Sequence, residues 1–450
     1  MWADNFVVST CKAGAGGVKS IGVKPTLYSL LATGALCLSL AGCGGGNDAG
    51  SQAASTQTIT IVSPHGREIQ GEFERAFKSK NPDAILKWQD QGASSDALRF
   101  ILAQFKTKED KSQGIGADLF FGGGLESHME LEKEGLLEKL PSDYDVPANL
   151  NGVPLRGENN EWVGAALSGF GILYNKTIAT RDHLPVPKVW SDLGKKELFG
   201  RVELADPRRS GSAHVAYEII LQTNGWDNGW KTLAAMTGNA RAYIDSSSTL
   251  VNDVSSGEAV FVPAIDFYGR AKIDQAGAEK LGYVAPQGQS VVTPDPIAIL
   301  KGAPNKALAE KFVAFVMSPE GQKLWMLKKG VEGGPVQETL FRQASLPTAY
   351  EPMPKDSVIE SSPYKVKNER PYEAEKAALR RVVIDDIIGA VLIDNHNLIK
   401  ARQQKSGDAG ILMLAPTEAE VMAATKIWDD PVQRQKKLGE WRAAAQKQLQ

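Results

Sequence analysis

The chain has 450 residues, of which 42% are hydrophobic, 23% charged and 7% aromatic. Those proportions suit a folded chain with a large core and exclude a wholly disordered or collagen-like one; the length suggests two or three domains. A formal charge of −2 leaves no basic excess to neutralise phosphates, which argues against nucleic acid as a partner.

Lys12, Lys19 and Lys24 precede an apolar stretch over 27–40. It is shorter than the roughly 20 residues of a membrane span but fits a secretory h-region. It ends in Leu40-Ala41-Gly42-Cys43, which resembles the lipobox of bacterial lipoproteins. The resemblance implies a signal peptide over 1–42, lipidation of Cys43, and a place in the cell envelope on the periplasmic or outer face of the membrane. An ordinary signal peptide with a chance cysteine is the alternative. A Gly-, Ser- and Ala-rich tether follows over 43–56. The other two cysteines, Cys11 and Cys37, fall in the removed segment. No disulfide is then available, and stability must come from core burial.

From Gln57 strands and helices alternate. Thr58–Val62 reads as a strand, and Ile69, Phe73, Ala76 and Phe77 recur at helical spacing until Asn81-Pro82. Ile85–Trp88 and Asp118–Phe121 read as further strands, followed by helices over 97–105 and 126–134. Alternation of this kind argues for an α/β protein with largely parallel sheets. It persists to about Val336. Near its end Leu308, Phe312, Phe315 and Val316 share a helical face. Ser318-Pro319 then caps and starts a helix that Gly330 is expected to end. Glu351–Pro371 is Pro-rich and reads as an exposed connector. Helical patterns close the chain over 373–392, over 417–426 behind a Thr417/Glu420 capping box, and over 432–449. Leu379, Val382, Val383, Asp386 and Ile387 mark a stripe with which this extension is expected to pack on the body.

Several runs together resemble the extracytoplasmic solute-binding proteins of ABC importers, in the branch holding ferric-iron and phosphonate binders. They are Ala117-Asp118-Leu119-Phe120-Phe121, Gly171-Ile172-Leu173-Tyr174-Asn175-Lys176, 206–212, Ser256-Gly257-Glu258-Ala259-Val260 and parts of 296–330. The resemblance implies a type II-like, two-lobed periplasmic-binding-protein fold with the ligand in the cleft between lobes. Lobe 1 would comprise 57–165 plus 287–345, lobe 2 166–286, and 346–450 a helical C-terminal extension. The chain crossings would fall near 164–168 and 283–287.

Three Ser/Gly-rich loops precede predicted helices: Ser63-Pro64-His65-Gly66, Ser210-Gly211-Ser212 and Ser246-Ser247-Ser248. Helix N-termini attract anions through unpaired N–H groups and the macrodipole. Each serine could equally serve only as a helix cap. Arg67, Arg208, Arg209 and Arg270 lie in or beside loops of the expected cleft and suit bidentate recognition of carboxylate or phosphate. Gly122 borders the cleft in Gly122-Gly123-Gly124, which lacks the Lys-Ser/Thr ending of a phosphate-cradling P-loop. In Ile265-Asp266-Phe267-Tyr268-Gly269 the iron-binding relatives place two adjacent tyrosines. Here Phe267 replaces one of them, so Asp266 and Tyr268 remain as candidates and a direct ferric site loses a phenolate. The five histidines show no metal-ligand spacing, and no nucleophile elbow or free catalytic cysteine is present.

The expectation is a monomeric, lipid-anchored receptor that captures a small anionic solute, or a metal–anion complex, by hinge closure. It would deliver that ligand to an ABC permease and its ATPase. No cofactor and no catalysis are expected, and whether a metal is carried stays open. The alternatives are a ferric-iron-binding protein, a sensory module on the same fold, and an exported lipoprotein hydrolase.

Overall fold

The computed structural model describes residues 57–450 except 366, 368, 369 and 408. The signal peptide, Cys43 and the tether inferred above lie outside the described residues. β1 (Thr58–Val62), α1 (Arg67–Lys80), β2 (Ile85–Gln89), α2 (Ser94–Lys106), β3 (Leu119–Phe121) and α3 (Leu125–Lys133) alternate as the sequence pattern predicts. A long strand, β4 (Trp162–Asn175), follows, with α4 (Lys176–Arg181), β5 (Val202–Ala205), α5 (Gly211–Asn224), α6 (Trp226–Asn239) and β6 (Ala240–Ile244). Next come α7 (Ser247–Ser256), β7 (Phe261–Ile265), α8 (Asp266–Ala276), β8 (Leu281–Val284) and β9 (Val292–Leu300). Then α9 (Lys306–Val316) and α10 (Pro319–Met326) pack back on α1.

The strands run in the order β2-β1-β3-β9-β4-β7-β5-β6, with β8 also beside β4. β1 pairs in parallel with β2 and β3. β4 serves two half-sheets. Its first part, from Trp162 to Gly169, pairs with β9, and from Phe170 onward it pairs with β7 and β8. The partner therefore changes at Gly169–Phe170, just past the expected 164–168. The chain returns between the end of β8 at Val284 and the start of β9 at Val292. β4 is buried along almost its whole length, as its apolar run requires of a strand covered on both faces. Gly171 is needed for close approach, because a Cβ there would lie 2.7 Å from the Tyr283 ring of β8.

Phe73 and Phe77 of α1 meet Trp325 and Phe312 at ring distances of 4.5 and 5.2 Å, which ties the return helices to the first half-sheet. Ser318 caps α10 as expected, accepting from the Gly321 N–H at 3.1 Å with Pro319 at the first helical position. The helix stops at Met326 rather than near Gly330. Leu327 turns to an extended conformation and bridges Ser357, while Val358 N–H donates to Met326 O at 2.8 Å. The supposed exposed connector is thereby partly built in. Tyr350 and Ile359 bury themselves with Met326, Leu327 and Ala344 in a small second core.

The C-terminal helices are α11 (Ala374–Ile387), which continues into a wider turn over Ile388–Ile393, α12 (His396–Ser406), α13 (Glu418–Ala424) and α14 (Pro431–Leu449). α11 contacts both α3 and α5, and so touches an element beside each half-sheet. Arg380, 1% exposed, donates to fully buried Glu218 of α5 through Nε at 3.1 Å and Nη2 at 2.6 Å, and also pairs with Glu418. His214 Nδ1 of α5 lies 2.6 Å from Asp385 Oδ1. α12 lies on α6, where Gln403 donates to Asn239 Oδ1 at 3.1 Å. The expected stripe needs correction: Leu379 and Val382 are each 53% exposed. The inward face carries Ala377, Arg380, Val383, Ile384 and Ile387 instead, because Arg380 turns toward Glu218.

Arg380→Ala strands the Glu218 carboxylate without its cation and should cost about 3–5 kcal/mol. Leu379→Ala should stay within about 0.5 kcal/mol. Urea unfolding of the two variants checks the contrast.

Candidate functional site

A cleft of about 420 Å³ opens between the two half-sheets. Its floor is Ser168 and Phe170 of β4 with Thr293, Pro294 and Asp295 of β9. Five helices bring their first turns to it, α8 through Phe267 and Tyr268. α2 brings Ala93 and Ser94, α3 brings Gly124 to Glu126, α5 brings Ser210 to Ser212, and α7 brings Ser246 to Ser248. The first N–H groups of a helix have no acceptor inside it, so each of these ends carries unpaired donors and partial positive charge.

The caps are built locally. Ser210 Oγ accepts from Ala213 N–H at 3.3 Å and lies 2.6 Å from Ser247 Oγ, which ties α5 to α7. Ser246 Oγ accepts from Ser248 N–H at 3.3 Å. These serines therefore cap helices and border the cleft at once. Tyr217 of α5 brackets the end of β5, donating to Ala205 O at 2.8 Å and accepting from Ala205 N–H at 3.2 Å.

Of the residues singled out in the sequence, His65, Arg209, Ser210, Gly211, Ser212, Ser246, Ser247, Ser248 and Tyr268 line the cleft. Six others do not. Ser63 is fully buried, its Oγ donating to Phe121 O at 2.7 Å. Gly66 and Arg67 are exposed at the start of α1. Gly122, at φ 89°, lies beneath the His65 ring, where a Cβ would come within 2.8 Å of Cε1. Arg208 folds back on Asp206, with Nη2 2.5 Å from Oδ2, and lies exposed beside Gly389 of the extension. Asp266 is 2% exposed and committed to Arg270 at 2.8 Å and Gln343 at 2.6 Å, in a separate cavity that also takes Arg270.

Sequence reasoning missed Ser94, Glu126, Ser168, Asp295, Arg342 and Arg381, which all border the cleft. Arg342 ion-pairs with Asp295, and its guanidinium sits 3.8 Å from the Phe267 ring centroid. The ring of Phe267, where a second tyrosine was sought, thus presents its face to a cation. Burial opposes the charge of Asp295, but His65 and Arg342 outweigh it and hold the carboxyl below its ordinary range. Among the described residues, Ser168 Oγ, Glu126 Oε1 and His65 Nε2 are buried without a hydrogen-bond partner. Buried polar groups are ordinarily satisfied, and these three offer polar contacts on the cleft wall. No group of three or more His, Cys, Asp or Glu able to hold a metal occurs among the described residues.

Residues 114–354 match the family described as bacterial extracellular solute-binding protein. The phosphoglycerate transport regulatory protein PgtC of Salmonella typhimurium is 31% identical over 245 residues, covering 53% of this chain and 59% of that protein. The gamma-aminobutyric acid-binding protein of Pseudomonas aeruginosa is 30% identical over 239 residues, covering 48% of this chain and 62% of that protein. The chain thus spans about six-tenths of the length of these curated relatives. Among solved structures, the periplasmic binding protein AfuA from Actinobacillus pleuropneumoniae, with fructose-6-phosphate bound, aligns at TM-score 0.57 and 20% identity. That alignment covers 77% of this chain and 97% of AfuA. The ferric binding protein from Campylobacter jejuni aligns at 0.56 and 19% identity, covering 74% and 99%. These two likenesses show the fold: a two-lobed α/β periplasmic-binding-protein architecture, here with a helical C-terminal region.

Burial lowers the pKa of both His65 and His128 to about 4. The unfolded chain takes up these protons first, near pH 6.5. The stability they carry is therefore complete above that pH and is lost as pH falls toward about 4, at up to about 1.4 kcal/mol per pH unit for each. Urea unfolding between pH 7.5 and 4.5 should show a shallower pH slope for His65→Gln than for the parent chain. Equal slopes would contradict a neutral, buried His65.

Proposed function

We propose, for a chain that belongs to the bacterial extracellular solute-binding proteins, the role of a receptor that captures a small anionic solute between its lobes and hands it to an ABC permease. The convergence of five helix N-termini on one cleft carries this reading. Cleft side chains alone are balanced in formal charge: Arg342 is spent on Asp295, and Arg209 pairs with Asp245 at 3.4 Å. Attraction for an anion comes from the helix ends, which need no counterion of their own. The orphaned Glu126 Oε1 suits a ligand that also donates hydrogen bonds, such as a hydroxylated acid or phosphate ester.

Both half-sheets share β4, which supports hinge closure as the response to ligand: an anion bridging first turns from both sides stabilises the closed form. Nothing in the cleft sets a nucleophile beside a base, so the role is capture and delivery, without catalysis. Among the described residues no helix is long and apolar enough to cross a membrane, and attachment through a lipid on Cys43 is proposed instead. The lobes are proposed to follow the boundaries 57–165 plus 287–345 and 166–286.

Thermal shift over phosphate esters, oxyanions, organic acids, ferric complexes and neutral sugars tests the ligand class. A hundredfold excess over Kd should add about 2.7 kcal/mol of stability. Gly211→Asp is the matched variant. The position is open, with the nearest foreign atoms 3.7 Å or more from a built Cβ, and a carboxylate in a first helical turn does not harm the fold. Anion binding should nevertheless fall at least about tenfold, whereas Arg208→Ala should leave it unchanged. Tight binding of an uncharged sugar that Gly211→Asp does not affect would overturn the reading. Separately, Cys43→Ser should release the protein from the membrane fraction; retention after a salt wash would overturn the anchor.

A further inference from the structure

The structure assigns part of the ligand site to the C-terminal extension: we infer that Arg381 of α11 is the specificity-determining cation of the cleft, favouring doubly charged oxyanions over singly charged ones. The inference rests on the anion reading above and deepens it. Arg381 lies outside the residues 114–354 that match the family, yet it lines the cleft together with Ser94, Gly211 and Glu126. Its Nη2 is 3.7 Å from where a Cβ on Gly211 would stand, beside the first turn of α5. Ser94 Cβ is 3.8 Å from the same point, so the guanidinium sits where the first turns of α2 and α5 approach each other across the cleft.

Arg381 also differs from its neighbours in being uncommitted. Arg380 is bound to Glu218 and Glu418, Arg342 to Asp295 and Arg208 to Asp206, while Arg209 has only an exposed partner, Asp245, at 3.4 Å. Among the described residues no carboxylate lies within ion-pair distance of Arg381; Glu130, Asp385 and His214 feel its charge only from farther away. Its position is nonetheless held. Arg380–Glu218 and Asp385–His214 bind α11 to α5 on both sides of residue 381, so the guanidinium moves with the helix end it faces. A helix N-terminus amounts to about half a positive charge. A singly charged anion is matched by such ends, and a second full charge needs a cation of its own. The planar fork of arginine supplies that cation with two parallel donors.

The test uses calorimetric titration of the whole chain with glycerol 3-phosphate and inorganic phosphate as dianions, and with acetate and nitrate as monoanions. Arg381→Ala should weaken dianion binding about 10- to 100-fold and change monoanion binding less than threefold. Arg381→Lys should recover part of the loss, and the melting temperature without ligand should stay unchanged because the side chain makes no bond. As a second readout, phosphate should protect Arg381 from an arginine-specific dicarbonyl reagent, as mapped by mass spectrometry; a purely structural arginine would show no ligand-dependent protection. Dianion affinity within twofold of the parent in Arg381→Ala, with no protection, overturns the inference while leaving the anion reading in place. Failure of the parent chain to bind any of the four anions overturns the anion reading itself, and the role of Arg381 with it.

Discussion

The architecture hangs on one shared strand. β4 is hydrogen-bonded to β9 as far as Gly169 and to β7 and β8 from Phe170 onward, so neither half-sheet is complete without it. A continuous 14-residue strand with both faces covered fixes the direction of each half-sheet relative to the other at one point. Elements that follow the strands of both halves therefore present their first turns toward the same cleft. The glycine at 171 belongs to that constraint, because Tyr283 of β8 lies too close for any Cβ there.

The electrostatics of the cleft follow from this geometry. Formal charges are largely spent inside it: Arg342 neutralises Asp295 and leans on Phe267, and His65 is buried in its neutral form. Among the described residues, what stays without a partner is Arg381, together with the helix-terminal N–H groups, Ser168 Oγ and Glu126 Oε1. Pre-oriented donors in a partly desolvated cleft bind an anion without reorganising, which gives selectivity without a large net charge. The near-neutral composition of the whole chain is consistent with such a device. The extension joins in through α11, which is stitched to α5 by the buried Arg380–Glu218 pair and lies against α3 as well.

Much of the fold was legible because hydrophobic period and caps are local signals. β1, α1, the Ser318-Pro319 helix start and the Thr417/Glu420 capping box each rest on a few adjacent residues, and the structure reproduces them. The site was half legible. Ser/Gly loops before helices identified the first turns of α5 and α7, but sequence spacing could not tell which of two adjacent arginines faces the cleft. Asp206, two residues away, captures Arg208, which stays exposed beside Gly389 of the extension. Arg342 and Arg381 were missed because their place depends on contacts distant in sequence, with Asp295, 47 residues away, and Phe267 in one case and the first turn of α5 in the other. A Gly-Ala-Ser run ahead of α2 was the one local signal that could have added Ser94. Leu379 and Val382 misled because an arginine, not a leucine, occupies the buried face of α11.

The most direct measurement of capture between the lobes is hydrogen–deuterium exchange of the whole chain, with and without saturating glycerol 3-phosphate. Slowed exchange in 93–96 and 124–127 together with 211–214 and 247–250 is the result expected of an anion bridging the first turns from both sides. Slowing confined to one side, or unchanged exchange in all four segments while the ligand is bound elsewhere, would contradict capture in the cleft.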